Sequence, residues 1–451
     1  MNSRLTPATG APITDQGDAR SASLFARARE VMPSGYTRQM AVARPHPAYV
    51  ARGEGCWVTD VDGNRRIDWV NNFASLLHGH NKREVVEAIH AQASAVMLSV
   101  MPSEPEVQLA ELLCERIPSV ERVRFMNSGT EANLMAVKAV RAYTGKSRIA
   151  KMEGGYHGQY DLLEASFQPR PDRWGNAAAP NSVAYSYGTP RSLLDEVLVL
   201  PLNDIEAARV LLRRHANELA AVILDPFRLQ LGVVAPRRDY LEMLREETAR
   251  LGILLVFDEV LCLRVGYSGT QGLHGILPDL TTMGKIIGGG LPVGALGGRK
   301  EFMSVFEIDT GDPKIKHSGT FTANPLTMAA GYTSMSLMTP EAFVRLNEMN
   351  QRLREGLKQI RQDLKIVGVV QGEGSLSSLM MTDMPLENYR QLAAAMASGL
   401  AVKIEKYNRM LLEEGVFSMR GGFIGSTAMT EGDIDFTLGA VRRALTRLLV
   451  S

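Results

Sequence analysis

The sequence predicts an α/β fold, a large and mainly parallel sheet with helices on both faces, joined to a smaller α+β domain. Three observations predict it. From about residue 80, helical stretches such as "REVVEAIHAQASAVM" and "EVQLAELLCERI" alternate with short apolar runs. Those runs are "RVRFM", "RIAKM", "VLVLP", "AAVILD" and "ILLVFDEV", and alternation at this spacing is the pattern of a helix-covered parallel sheet. After Gly331 the chain turns mostly helical, ending in "TEGDIDFTLGAVRRALTRLLV".

Taken in order, residues 1–20 are rich in Pro, Gly, Thr and Asp and are expected to form a mobile tail. "SLFARAREVMPSG" reads as a short helix ended by Pro33. "AYVARGEGCWVTDVDGNRRIDWV" reads as an antiparallel meander with Asp62-Gly63 as its tight turn. Residues 21–75 are expected to pack with residues 332–451 as the small domain, leaving 76–331 as the large one. In parallel sheets ligands collect at the carboxyl ends of the strands, so that edge is where chemistry is sought.

Composition narrows the function. Lys plus Arg, 50, nearly cancels Asp plus Glu, 49, which leaves no field to attract nucleic acid or an anionic membrane. No apolar run approaches the ~20 residues of a membrane span. Cys56, Cys114 and Cys262 are odd in number and far apart, so neither a disulfide framework nor a metal site is expected. A cytoplasmic location is the expectation.

The sharpest local signal is "DLTTMGKIIGGGLPVGALGG". Between Leu280 and Gly298 the only ionisable side chain is Lys285, followed by six glycines from Gly288 onward. A buried ammonium is costly, so such a lysine tends to lose its proton or form a covalent bond. A Schiff-base lysine does both. In "RFMNSGTEAN" a strand ends at Met126 and a helix starts after Ser128-Gly129-Thr130. Free N–H groups and the helix dipole there suit one phosphate, although an ordinary capped helix has the same signature. "GILLVFDEV" sets Asp258 and Glu259 at a strand's carboxyl end, where an acid could keep a ring nitrogen protonated or could cap a neighbouring helix. Tyr156 and His157 in "MEGGYHGQYD" could stack on a flat cofactor or serve packing. "KHSGTFTANPLTMAAG" by itself shows a loop and a helix start.

Together these parts divide the work of one cofactor, pyridoxal 5′-phosphate (PLP). In this combination the chain resembles the class III aminotransferases of PLP fold type I. Within them it is similar to the branch of glutamate-1-semialdehyde aminomutase and the β-amino-acid aminotransferases. The resemblance runs from about residue 25 to the C-terminus and rests on "NSGTEAN", "GGYHG", "FDEV", "PDLTTMGKIIGGGLPVGALGG" and "SGTFTANPLTMAAG", all in the family's order. It implies that Lys285 bonds to the cofactor and shuttles the substrate proton, and that Asp258 pairs with the ring nitrogen. It implies that Ser128, Gly129 and Thr130 form the phosphate cup, that Tyr156 stacks on the ring, and that His157 neighbours it in the same cofactor-binding motif. Thr320 matches a threonine reaching the phosphate of the other subunit, which implies a homodimer with shared active sites. The glycine run would let a loop pass close to the cofactor.

Departures from the family bear on the substrate. Relatives read Glu-Pro-Val or Glu-Pro-Met where this chain has Asp225-Pro226-Phe227, and Gln230 falls where the branch has an amide near the cofactor's 3-hydroxyl. Where the aminomutase has a glutamate before "GF", this chain has Arg420 in "FSMRGGFIGSTAMT". The β-amino-acid enzymes have an arginine there and another matching Arg38 in "MPSGYTRQ". An arginine suits a carboxylate through two parallel hydrogen bonds. Phe73 and Phe227 complete the candidate substrate contacts, with core packing an equal account of Phe73. The expected function is a two-stage transfer of an amino group from an amino acid or amine, with a β-amino or aromatic donor included, to a keto acid. The alternatives are an aminomutase and a nucleotide-binding protein, the latter lacking any Walker or dinucleotide glycine pattern.

Overall fold

The computed structural model describes residues 18–38, 45–227, 234–308, 311–384 and 386–450. Its centre is a seven-stranded sheet: β1 (Arg122–Met126), β2 (Arg148–Met152), β3 (Val197–Leu200), β4 (Leu219–Leu224), β5 (Leu254–Asp258), β6 (Leu280–Gly284) and β7 (Gly294–Gly298). The spatial order is β1-β7-β6-β5-β4-β2-β3, and only β7 runs antiparallel to its neighbours. β4 and β5 are buried at every residue, which is why their sequences are unbroken apolar runs rather than alternating ones.

The five runs read from the sequence are β1 to β5. The structure adds β6 and β7 from the lysine-glycine stretch. β7, "GALGG", has poor strand propensity, and neighbours fill the space its side chains would take. A Cβ on Gly294 would stand 2.0 Å from the Ser128 carbonyl oxygen, closer than any side chain tolerates. Gly294 pairs with Met126 on one side and Gly284 on the other, so the ends of β1 and β6 lie at one edge of the sheet.

The helix Gly129–Thr144 starts at that edge. Ser128 caps it by accepting the Glu131 N–H, and Gly145 ends it at φ 71°. Its buried face is Ala132, Ala136, Val137, Ala139 and Val140, small enough to lie flat on the sheet, and it also buries Asn133.

The meander is present as Val50–Glu54, Trp57–Asp60 and Arg65–Asp68, with a fourth strand supplied by Val416–Phe417. Val416 pairs with Ile67, the Trp69 indole N–H donates to Thr437 Oγ1 at 2.9 Å, and Trp69 packs edge-on against Phe423. The C-terminal part otherwise holds an antiparallel sheet, Val369–Glu373, Leu376–Met380 and Gly422–Ile424, covered by helices Pro340–Asp363, Ala401–Glu413 and Glu431–Leu449. One apolar cluster runs from Leu224, Leu255 and Phe257 of the large sheet to Leu353, Phe423 and Val441. Among the described residues no helix is long and apolar enough to cross a membrane.

Candidate active site

Five strands end at one cavity of about 450 Å³, and each delivers a polar group to it. β1 brings Asn127 to Thr130, β2 brings Tyr156 and Gly158, and β4 brings Asp225. β5 brings Asp258, and β6 brings Lys285. Arg38, Asn72, Phe73 and Ser75 close it from the N-terminal segment.

Lys285 follows β6 in a left-handed backbone conformation, φ 50°, a strained choice for a side chain with a Cβ. Its amine makes no hydrogen bond or ion pair with the described residues. Burial pushes its pKa down from the usual lysine value, while the charges of Asp258 and Asp225 oppose that shift. Burial thus favours the neutral amine over the ammonium.

Asp258 is held by three full donors and shares a fourth. The Asn133 amide at 2.9 Å and His157 Nδ1 at 2.8 Å meet Oδ2, while the Val260 N–H at 3.1 Å and the Thr282 hydroxyl at 3.3 Å meet Oδ1. A carboxylate oxygen only accepts, so His157 carries its proton on Nδ1. The single Thr282 proton is shared, pointing mainly to Asn133 Oδ1 at 2.7 Å, and the Asn133 amide also donates to the His157 carbonyl at 3.1 Å. This buried network fixes the direction of one acid. Glu259 is turned the other way. It accepts the Thr270 and Gln271 N–H groups at 2.9 and 3.1 Å, capping the short helix Gly269–His274.

Ser128, Gly129 and Thr130 stand at the helix N-terminus on the cavity rim, where the first N–H groups have no intrahelical acceptor. Tyr156 also lines the cavity, its ring 4.9 Å from Phe167, which lies 5.1 Å from Tyr185. Burial raises the Tyr156 phenol above its usual pKa, with the Glu164 charge next, so it stays neutral at physiological pH.

The cavity thus unites Lys285, Asp258, Tyr156, Ser128, Gly129, Thr130, Arg38 and Phe73. Other candidates lie elsewhere. His157 is buried behind Asp258 and does not line the cavity. Phe227 packs in a small apolar cluster with Ala74, Leu261 and Cys262, so in this single chain it forms core rather than cavity wall. Arg420 sits half-buried at φ 54° between Val416–Phe417 and Gly422–Ile424, near the Tyr185 phenol and off the cavity lining. Thr320 is exposed and also off the lining. Gln230 lies outside the described residues. Of the six glycines after Lys285 only Gly290 lines the cavity. Gly288, Gly289, Gly294, Gly297 and Gly298 instead press against protein atoms, where neighbouring loops and strands, and for Gly289 the helix carbonyl of Ala330, leave no room for a Cβ.

Sequence reasoning missed Asn133, Asn72 and Asn127. For Asn133 a signal existed, an amide on the apolar face of a helix, where it must find buried partners.

Comparisons with known proteins identify the family and the fold. Residues 39–415 match the family model for class III aminotransferases. The chain is 38% identical over 436 residues to glutamate-1-semialdehyde 2,1-aminomutase 2 of Halalkalibacterium halodurans, covering 95% of this chain and 98% of that one. Its fold superposes on an omega-transaminase from Sphaerobacter thermophilus with TM-score 0.91 and 44% identity, covering 95% and 98% of the two chains. A β-phenylalanine aminotransferase from Variovorax paradoxus gives TM-score 0.85 and 34% identity, covering 96% and 95%. The chain belongs to the class III aminotransferases and has PLP fold type I. It is a PLP-dependent transaminase.

The residues present fit that cofactor. The cavity offers an unpartnered amine at Lys285, a fixed acid at Asp258 and a helix N-terminus at Ser128 to Thr130.

Proposed function

We propose a two-stage transfer in which an amino acid or amine, with β-amino and aromatic donors included, gives its amino group to the enzyme and a keto acid collects it. One observation carries the reading: Lys285 and Asp258 open onto one cavity whose rim is the N-terminus of the helix Gly129–Thr144. When bound, PLP supplies the electron sink that lets an amino group leave one carbon and join another.

Lys285 would hold the cofactor through its ε-amine and, once displaced by the donor, move the proton at the substrate carbon. Burial supports this, because it favours the neutral amine. Asp258 would keep the ring nitrogen protonated, its direction set by Asn133 and His157. Ser128, Gly129 and Thr130 would bind the phosphate, and Tyr156 would cover one face of the ring.

Arg420 and Arg38 are the proposed carboxylate partners. Arg38 is exposed at the cavity mouth and donates to Asn72 Oδ1 at 2.8 Å, which supports a role in admitting substrate. Thr320 is proposed to complete the cavity of a second subunit. Its exposure and its place off the lining of its own cavity support this, as does the exposed apolar run of Met97, Leu98, Val100 and Met101. The same reading divides the chain into 21–75 with 332–451, and 76–331, supported by the pairing of Arg65–Asp68 with Val416–Phe417. Three free cysteines support a cytoplasmic location.

The test is spectral. Donor alone should convert the bound cofactor from its aldehyde to its amine form, and keto acid alone should leave it unchanged. Borohydride added before any donor should fix the cofactor on Lys285, and added after the donor it should not. If no amino acid or amine changes the spectrum, the reading fails. The aminomutase relatives favour a second reading, intramolecular transfer, which predicts no free ketone. Ketone released in proportion to added keto acid excludes it.

A further inference from the structure

Arg264 is completely buried, and its guanidinium meets only neutral acceptors. It lies in the short helical turn Cys262–Val265, six residues past Asp258 at the end of β5. Nε donates to Ser375 Oγ at 2.8 Å, Nη1 to the Ala74 carbonyl at 2.9 Å, and Nη2 to the Gly425 carbonyl. One rigid fork therefore ties the large sheet to the C-terminal part and to the N-terminal segment. A buried charge facing only carbonyls and a hydroxyl is costly to keep, and burial pushes its pKa down to about 9. Packing alone would be served as well by an apolar residue, so the charge needs another reason.

The Ala74 contact supplies one. Asn71, Asn72, Phe73 and Ala74 have φ of 46°, 48°, 54° and 74°, four successive residues in the left-handed region with no glycine among them. Each such residue is strained by its Cβ in isolation, so the turn persists only where its surroundings hold it. Asp68 Oδ1 accepts the Val70 and Asn71 N–H groups at 2.8 and 3.0 Å, and the Asn71 amide donates to the Ile424 carbonyl at 2.7 Å. These bonds fix the start of the turn. Its end is fixed from outside by Arg264. Between the two anchors, Asn72 and Phe73 face the cavity, with Ser75 just beyond, and Asn72 holds Arg38.

We infer that Arg264 is a positioning residue for substrate: it holds the strained turn Asn71–Ala74 in its left-handed form and so sets the Asn72, Phe73 and Arg38 wall of the cavity. This rests on the transaminase reading for its kinetic arm only.

The experiment uses the full chain loaded with PLP and the variants Arg264→Met and Arg264→Lys, each alone and combined with Ala74→Gly. Glycine enters the left-handed region without the Cβ penalty, so it should hold the turn with less help. Hydrogen exchange is read at the Ala74, Ser75 and Leu76 amides, which bond to Val70, Asn72 and Asn71 carbonyls. In Arg264→Met that exchange should rise at least about tenfold, the loss of one bond from a charged donor. The KM for the amino donor should rise by a similar factor while kcat stays within about threefold and the cofactor remains bound. Ala74→Gly should recover a large part of both effects. Arg264→Lys reaches fewer acceptors and should fall between Met and the parent; if Arg264→Met does not fold, Arg264→Lys carries both readings.

Unchanged exchange in the turn, or a rise spread evenly over the C-terminal part, overturns the inference. So does a fall in kcat at constant KM, or the absence of rescue by Ala74→Gly. A parent enzyme with no donor-dependent spectral change would sink the transaminase reading instead, and the exchange arm would still judge Arg264.

Discussion

Replacing His157 by alanine tests whether a residue outside the cavity controls the acid inside it. His157 Nδ1 and the Asn133 amide share Asp258 Oδ2, at 2.8 and 2.9 Å, so alanine leaves one of two donors on that oxygen. A buried hydrogen bond to a charged group contributes about 1.5–3 kcal/mol, and the surviving Asn133 argues for the lower end. At 1.4 kcal/mol per tenfold, the cofactor Kd should rise about tenfold, and kcat/KM should fall by at least as much. His157→Asn can return an amide donor near the Nδ1 position and should recover most of the loss. The assay titrates cofactor-free protein with PLP and follows its absorbance, using samples shown to be folded, since the alanine also leaves a void. Unchanged Kd and kcat/KM in His157→Ala would refute the reasoning, as would a His157→Asn variant as poor as the alanine.

Lys285→Met should make the cofactor-free protein more stable than the parent, because it removes an amine that burial disfavours when charged. The lysine pKa is lower folded than unfolded, so the unfolded chain binds the proton more tightly. Parent stability should therefore fall as pH drops below 10.5, and its gap to the variant should widen until the folded pKa is passed. Melts of both proteins across that range check it, and a gap independent of pH would count against it. Gly294→Ala should cost more than about 3 kcal/mol, because its methyl would meet the Ser128 carbonyl, whereas Gly432→Ala, in the open first turn of the helix Glu431–Leu449, should be neutral or stabilising. Denaturant titration separates the two. Arg420→Ala and Arg38→Ala should each raise KM about tenfold or more for a partner bearing a carboxylate and leave a simple amine donor unaffected. Equal losses for both donors would remove the arginines from substrate binding.

The lysine, the acid and the helix cap were legible because each leaves a local mark. A lone cation in an apolar run, an acid ending a buried strand, and Ser-Gly-Thr before a helix all have a direct physical meaning. Strands β4 and β5 were legible for the same reason, since burial on both faces demands continuous apolar runs, whereas β1 to β3 were read from their short apolar runs alternating with helices. β7 was not, because "GALGG" is a strand only where Ser128 and Val120 already occupy the space its side chains would fill. His157 and Phe227 also could not be placed from their motifs. Whether a side chain faces a cavity or the wall behind it turns on about one residue of register and on what packs there.

The sequence by itself determined the α/β class, the order of its elements and the chemical kinds of group the site contains, because hydrophobic period and lone buried charges act over a few residues. Only the tertiary structure decided which of those groups share a cavity. It set His157 and Asn133 behind Asp258, drew Asn71 to Ala74 into a left-handed turn, and bound that turn to Arg264, 190 residues away along the chain. Contacts at that separation come from summed packing across the whole sheet, and no short stretch of sequence records the sum.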